Sequence, residues 1–311
     1  MNQQGLGRNT VMINVNRFTC WKGICVACGQ MIAGNNCKKH LFFCGKMLNY
    51  LTKNQYNIMN PENTQNHFTH GYILKIVDLY RPQLYWIYVS APSNLSLRDL
   101  DIYLRAFWLQ CCSHMSCFTG VDGKEYFPHL FSNITFPNFE NHFLMSNYSI
   151  EEFFGKNTTC YYSFDFGDTT KLQITVIEEI NNAPKQRFIL LIQNEQPKYY
   201  CDLCSEQLII TYCDNCEKSF CEKCNQEYHG KAEVNKMSCD PQTSCLPIIN
   251  SPRVGKCGYR GPVIDPSNLI FNVFDPNQKK DERTMQNPIA RGRIRNSSSS
   301  ITSNSVQTIK N

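Results

Sequence analysis

The chain has no stretch approaching the roughly 18 consecutive apolar residues that a membrane-spanning helix needs. Its first residues, Met1 to Thr10, are polar and hold no apolar core of a secretory leader. It also lacks a Gly-rich phosphate loop, a Gly-x-Ser-x-Gly elbow and a His-Glu-x-x-His helix. Phosphate-loop, serine-hydrolase and zinc-protease chemistry therefore have no starting motif. No serine stands amid clustered arginines, as serine-recombinase chemistry would require. Excess charge is scarce too: a net +5 over 311 residues permits nucleic-acid contact without requiring it, because dedicated binders concentrate charge on one face. No internal repeat is apparent.

Cysteine, by contrast, is abundant, with 18 in the chain. A secreted disulfide scaffold would need a leader and a small domain. Thiols grouped as Cys-x2-Cys with no export signal point instead to metal in a reducing compartment. An intracellular protein is expected, cytoplasmic or nuclear. Sequons such as Asn94-Leu95-Ser96 and Asn157-Thr158-Thr159 then lose their glycosylation meaning.

Composition divides the chain into segments. Residues 1–50 hold the first cysteine array, and residues 51–70, rich in Asn, Gln and Thr, read as a linker. Residues 71–193 carry most of the apolar sequence, residues 199–262 hold the second array and a Pro/Gly-rich coda, and residues 275–311 form a polar, basic and Ser-rich tail that cannot bury enough apolar surface to order itself.

The first array is Cys25-x2-Cys28-x11-His40-x3-Cys44. A two-residue gap lets adjacent thiolates converge on one tetrahedral ion, and His40 and Cys44 share one face of a helix. The pattern predicts a small Cys2HisCys finger of ββα character. Cys20 and Cys37 are decoys, Cys37 because its helical position leaves no partner in the right place. Lys22, Lys38, Lys39 and Lys46 are candidate phosphate contacts, as are Arg291, Arg293 and Arg295 in the tail.

The second array runs Cys201-x2-Cys204-x8-Cys213-x2-Cys216-x4-Cys221-x2-Cys224-x4-His229. Six thiols and an imidazole exceed the needs of one ion. The short gap between Cys216 and Cys221 suits a tight hairpin that sends alternate pairs to different ions. The favoured arrangement is interleaved: Cys201, Cys204, Cys221 and Cys224 on one ion, and Cys213, Cys216, His229 and Cys239 on the next. Cys245 or Cys257 is the alternative eighth ligand. The segment resembles B-box and related cross-brace zinc modules over about 40 residues, and that resemblance implies a platform for protein interaction. Closed four-ligand sites leave no open position for catalytic water.

In the central segment, Tyr72–Leu79 and Leu84–Val89 read as strands joined by a turn at Arg81-Pro82. Ser96-Leu97-Arg98-Asp99 has the form of a capping box. The helix it opens places Leu97, Leu100, Leu104, Phe107 and Trp108 on one face. Cys160–Phe166, Lys171–Glu179 and Arg187–Ile192 add strands, the second with apolar residues at alternate positions. The fold class is α+β, a largely antiparallel sheet with packed helices flanked by small zinc-binding modules.

Three clusters carry a family resemblance: Leu104 to Phe118, containing Cys111-Cys112-Ser113-His114; Tyr162 to Thr170, containing Asp165-Phe166-Gly167-Asp168; and Leu246 to Gly261, ending Cys257-Gly258-Tyr259-Arg260-Gly261. They resemble the Ri-plasmid ORF-three-like domain, also labelled TnpR-type insertion-element passenger proteins, in a zinc-containing branch. Where that family often has Trp-x-His, Thr170 and Leu172 stand here; Tyr85-Trp86 replaces its Trp-Arg; and of its His-x-His only His114 remains, with Ser116 in second place. The resemblance implies a fold and a mobile-element association rather than an activity.

His114, Asp165 and Asp168 are the candidates for a metal-dependent enzyme site. The plainer reading makes Asp165 to Asp168 a strand leading into a tight turn, sets His114 on a hydrogen bond beneath a loop, and buries Cys111 and Cys112 behind the apolar helix. The sequence thus predicts a non-enzymatic protein with about three zinc ions that acts through protein or nucleic-acid binding. A DNA-binding accessory protein of a plasmid or transposable element is the alternative. Neither a membrane nor a small-molecule substrate is indicated.

Overall fold

The computed structural model describes residues 21–56, 68–129, 142–230, 244–262, 264–275 and 277. The N-terminal part comprises β1 (Lys22–Cys25), β2 (Met31–Ala33), α1 (Cys37–Phe43) and α2 (Met47–Tyr56). The central part comprises β3 (Phe68–Asp78), β4 (Trp86–Pro92), α3 (Leu97–Leu104), β5 (Ser116–Thr119), β6 (Glu125–Phe127), β7 (His142–Leu144), α4 (Ile150–Phe154), β8 (Thr159–Phe164), β9 (Thr170–Pro184) and β10 (Ile189–Asn194). Then follow β11 (Thr211–Cys213), β12 (Lys218–Phe220), α5 (Glu222–Gly230) and β13 (Cys245–Pro247).

Ten strands form one sheet in the order β2-β1-β10-β4-β3-β9-β8-β5-β6-β7. Neighbours are antiparallel except β6 and β7. The α+β fold with a largely antiparallel sheet is therefore present. The N-terminal segment shares this sheet: β1 pairs with β10, Cys25 standing opposite Ile192. Helix α2 extends as far as Tyr56, into the stretch read as linker.

The central strands are buried on both faces, which is why β4 is buried at every position. Alternate residues go to different cores. Leu74, Ile76, Ile87 and Val89 join Leu97, Leu100, Leu104 and Trp108 beneath α3. Ile73, Trp86 and Tyr88 join Leu41, Met47 and Leu51 of the N-terminal helices on the other face.

The capping box at Ser96 forms in full, each side chain of Ser96 and Asp99 meeting the other's backbone N–H. After Leu104 the helix widens into a π-helical turn, Arg105–Leu109, which keeps Trp108 and Leu109 buried.

The coda belongs to this body. Trp108 Nε1 donates to Asn250 O at 3.0 Å and Ser251 Oγ donates to Trp108 O at 2.7 Å. Arg253, with no exposed surface, binds Asp165 and Thr170, and the Tyr85 and Tyr199 hydroxyls meet at 2.7 Å.

Gly71 marks a tight strand crossing against backbone. A Cβ there would strike the Ala91 carbonyl oxygen and lie 2.6 Å from Ala183 Cβ. Both neighbours are strand residues that cannot swing aside. Gly71→Val is expected to lower stability by about 1–3 kcal/mol, the cost of overpacking a closed core, read as an earlier midpoint in urea unfolding. An unchanged midpoint would show that β3 and β4 separate there at little cost.

Candidate metal centres

Four groups of Cys and His donors have ligand atoms within 4.8 Å of one another among the described residues. A tetrahedral ion with metal–sulfur bonds near 2.3 Å sets sulfur–sulfur edges of about 3.8 Å and sulfur–nitrogen edges of about 3.6 Å. A disulfide would bring sulfurs to about 2.05 Å. The described cysteines are all thiols.

The first group is Cys25, Cys28, His40 and Cys44. Cys25 Sγ lies 3.9 Å from Cys44 Sγ, and Cys28 Sγ lies 3.5 Å from His40 Nε2. Both match tetrahedral edges. The knuckle closes through Gly29 N donating to Cys25 O at 2.8 Å, with Gly29 at φ 73° in the left-handed region that favours glycine. Gln30 N donates to Cys28 Sγ at 3.4 Å. Helix α1 carries His40 but ends at Phe43, so Cys44 leaves the helix with an extended backbone rather than continuing its face. Cys37 is buried, hydrogen-bonded to Ala33 O and outside the group, as a decoy should be. Cys20 lies outside the described residues. Burial pushes the Cys25 thiol up to about 12 in the absence of a cation.

The C-terminal array folds around a three-stranded sheet, β12-β11-β13. Cys201, Cys204, Cys221 and Cys224 come together, with Cys204 and Cys221 sulfurs 4.0 Å apart. Ser205 N donates to Cys201 O at 2.8 Å and Ser205 has φ 57°, which repeats the turn built by Gly29. Cys224 comes from the first turn of α5. Burial opposes the thiolate at Cys201, but backbone N–H groups of Cys204, Cys221 and Leu203 outweigh it and bring the thiol down to about 7. The backbone thus favours a thiolate at Cys201, while the neighbouring Cys221 thiol pushes Cys224 up to about 12 in the absence of a cation.

The second group of this module is Cys213, His229 and Cys245. Cys213 and Cys245 face each other in the β11–β13 register. Cys216 Sγ lies 3.6 Å from His229 Nε2, again a tetrahedral edge. His229 Nδ1 is 2.8 Å from Asn225 Oδ1, a contact that fixes the ring and leaves Nε2 for the ion. The pairs therefore alternate between two centres. Cys245 stands in the eighth position; Cys239 lies outside the described residues.

The fourth group, Cys111, Cys112, His114 and Cys257, was not read as a metal centre from the sequence. Cys112 is exposed rather than buried: the π-helical turn ends at Leu109, Gln110 is extended, and the chain runs outward before β5 begins at Ser116. Adjacent cysteines and a histidine two residues on were the available signals, with Cys257 offered only as an alternative eighth ligand of the C-terminal module.

His114 and Asp165 do meet, Nε2 to Oδ2 at 3.3 Å. Asp165 holds φ 63° and accepts from the backbone N–H groups of Gly167 and Asp168, the tight turn anticipated for it. Burial would raise its carboxyl, but Arg253 and those N–H groups hold it below the usual carboxylate range. Asp168 instead pairs with Lys256 at 2.7 Å. The three segments that carry the family resemblance, far apart in the chain, converge on this spot.

Among the basic candidates, Lys38 is engaged with Ile177 O at 3.1 Å and Glu178 at 3.4 Å, while Lys39 is exposed. Arg291, Arg293 and Arg295 lie outside the described residues. No helix among the described residues is long and apolar enough to cross a membrane.

No family model and no curated protein matches the chain. Among solved structures it is similar to a protein of unknown function (MM3350) from Methanosarcina mazei Go1, at 16% identity over 42% of this chain and 72% of that one, with a TM-score of 0.35.

Proposed function

We propose that the chain is a zinc-scaffolded binding protein, non-enzymatic, whose metal modules present apolar surface to a protein partner. All-thiolate and thiolate–imidazole donor sets with tetrahedral edges favour zinc over harder cations. The sets of four at Cys25, Cys28, His40 and Cys44 and at Cys201, Cys204, Cys221 and Cys224 leave no position for a catalytic water, and Cys216 beside His229 would complete the third. One observation carries the partner. Large exposed apolar side chains concentrate on the metal-bearing segments: Trp21, Ile24, Met31, Phe42 and Phe43 around the first group, and Leu203, Leu208, Ile210 and Tyr228 around the C-terminal pair. Soluble surfaces seldom leave such residues clustered without use. Membership of the ORF-three-like family forms part of this reading and rests on the three sequence clusters.

Charged substitutions at Phe43 and Ile210 provide the test. The double variant F43D/I210D should keep the metal content of the parent protein and lose its partner in quantitative affinity purification from the native host. Retention of the same partners at parental yield would sink the proposal.

Nucleic acid is the second reading. An open cleft of about 360 Å³ beside the first group is lined by Trp21, Lys22, Lys75 and Trp86. Trp86 is the buried floor of this cleft, and the exposed Trp21 ring beside the Lys22 and Lys75 ammonium groups suits one stacked base with its phosphate. On this reading, single-strand binding weakens steeply from 50 to 200 mM salt, with log K falling by about 0.7 per phosphate contact per unit of log salt. A filter-binding series measures that slope, and affinity indifferent to salt would remove phosphate contact as its basis.

A further inference from the structure

We infer that Cys111, Cys112, His114 and Cys257 form a fourth zinc site, which fastens the coda to the end of the central sheet. The donors are soft and of the same classes as in the first group, three thiols and one imidazole. Their spacing is that of ligands around one ion: Cys111 and Cys112 sulfurs are 4.0 Å apart and Cys112 and Cys257 sulfurs 3.6 Å, on either side of the tetrahedral edge of about 3.8 Å. His114 Nε2 lies 2.8 Å from Cys112 Sγ and 3.1 Å from Cys257 Sγ, inside the tetrahedral edge of about 3.6 Å. The imidazole thus faces the sulfurs, and an ion between them would spread this cluster by about half an ångström. Asp165 Oδ2 flanks the same nitrogen at 3.3 Å.

The backbone is arranged for this convergence. Cys257 has φ 46° and Gly258 φ 64°, two successive left-handed residues that turn the chain beneath the site. A cysteine holds that conformation only where its surroundings fix it. The charge balance also fits. Three thiolates, one neutral imidazole and a divalent ion leave one negative charge, and Arg253 Nη2 stands 3.6 Å from Cys111 Sγ. Arg253 also binds Asp165, whose carboxylate lies against His114, so the arginine ties the ligand loop, the β8 turn and the coda together.

This site differs in kind from the other three. Their ligands come from one local segment each, whereas Cys112 and Cys257 are 145 residues apart in sequence. An ion there closes a loop that contains β5 to β13, and so restrains the unfolded chain more than a local knuckle does, by a margin that grows only with the logarithm of loop length. Cys112 and Cys257 are exposed, whereas each of the other groups holds at least one buried cysteine, Cys25, Cys201 with Cys221, and Cys213. Zinc at this site is thus the most open to exchange with solvent.

The inference adds one ion to the three of the preceding reading, and zinc counting separates the two. Native mass spectrometry of the full chain should find four zinc ions, falling to three in Cys257→Ser and in Cys112→Ser. Three ions in the parent and three in both variants would overturn the fourth site while leaving the others intact; fewer than three in the parent would fail the earlier reading. Alkylation of the unmutated protein keeps the test independent of folding. Despite their exposure, Cys112 and Cys257 should resist iodoacetamide until a chelator is added, then react first among the ligand cysteines. Immediate modification in the zinc-loaded protein, or a Cys112–Cys257 disulfide with the mass loss of two hydrogens, would overturn it.

Discussion

Cys221→Ser is expected to strip one zinc ion from the C-terminal module and unfold it, while the ten-stranded sheet stays folded. The reason is the size of the two cores. Beneath α3 the sheet buries a continuous cluster of large side chains, including Trp108, Phe118, Phe153 and Tyr162. The module buries Tyr199, Cys201, Ile209 and Cys221 around its first metal group and adds Tyr212, Phe220 and Leu246 on its three-stranded sheet, a far smaller core. That is too little apolar surface to offset the chain entropy of about 30 residues. On the proposed reading metal supplies the difference, since structural zinc contributes apparent free energies of about 10–16 kcal/mol at neutral pH. Losing one thiolate of four forfeits a large part of it. Hydrogen exchange checks the prediction: amides of β11 and β12 should lose protection in the variant, and those of β3, β4 and β9 should keep it. Parental protection in β11 and β12 would show that the module folds without its first ion. Interleaving adds a second expectation, because Cys213 and Cys216 lie between the two pairs of the first centre. Loss of one ion should therefore loosen the other.

How far the sequence carries depends on the distance over which each feature is decided. The first group and the alternation of Cys201–Cys204 with Cys221–Cys224 were legible, because both follow from two-residue gaps and one short hairpin. The eighth ligand was not. Cys245 reaches its place through the β11–β13 register, and strand pairing across the chain leaves no mark on local spacing. The same holds for the fourth group, whose histidine and last cysteine are 143 residues apart. Strands with alternating burial, such as Leu172 and Ile174 in β9, announced themselves, and so did the capping box at Ser96. The union of β1 with β10 did not, because edge pairing uses backbone groups that every residue carries. The packing of the coda on the central body was not visible in the sequence: its hydrogen bonds to Trp108, Asn194 and Asp165 span distant segments.

Asp101→Ala should cost about 3–5 kcal/mol at neutral pH, the range for breaking a buried ion pair and leaving its partners uncompensated. Asp101 sits on α3 with no exposed surface and is bound by Arg98, by Arg105 at 3.0 Å, by Ser116 Oγ at 2.6 Å and by the Tyr162 hydroxyl at 2.7 Å. It therefore pins the helix to β5 and β8. Arg105 also donates to His114 O at 2.9 Å, so the network positions the loop that carries Cys111 and Cys112. Burial alone would raise the Asp101 carboxyl, but the charges of Arg105 and Arg98 and the two hydroxyls prevail and hold it below its ordinary range. A carboxyl with a depressed folded pKa stabilises fully above the unfolded value of about 3.9, and that contribution disappears as pH falls through the folded value. The gap in unfolding free energy between parent and variant should therefore be widest at neutral pH and shrink in strong acid. Acid also releases zinc by protonating its thiolates, but that loss is common to both proteins and cancels in the difference. Urea titrations of both proteins at pH 7 and at about pH 3 measure it; a gap below about 1 kcal/mol at pH 7, or one that widens in acid, would mean that Arg98 and Arg105 are satisfied without the carboxylate.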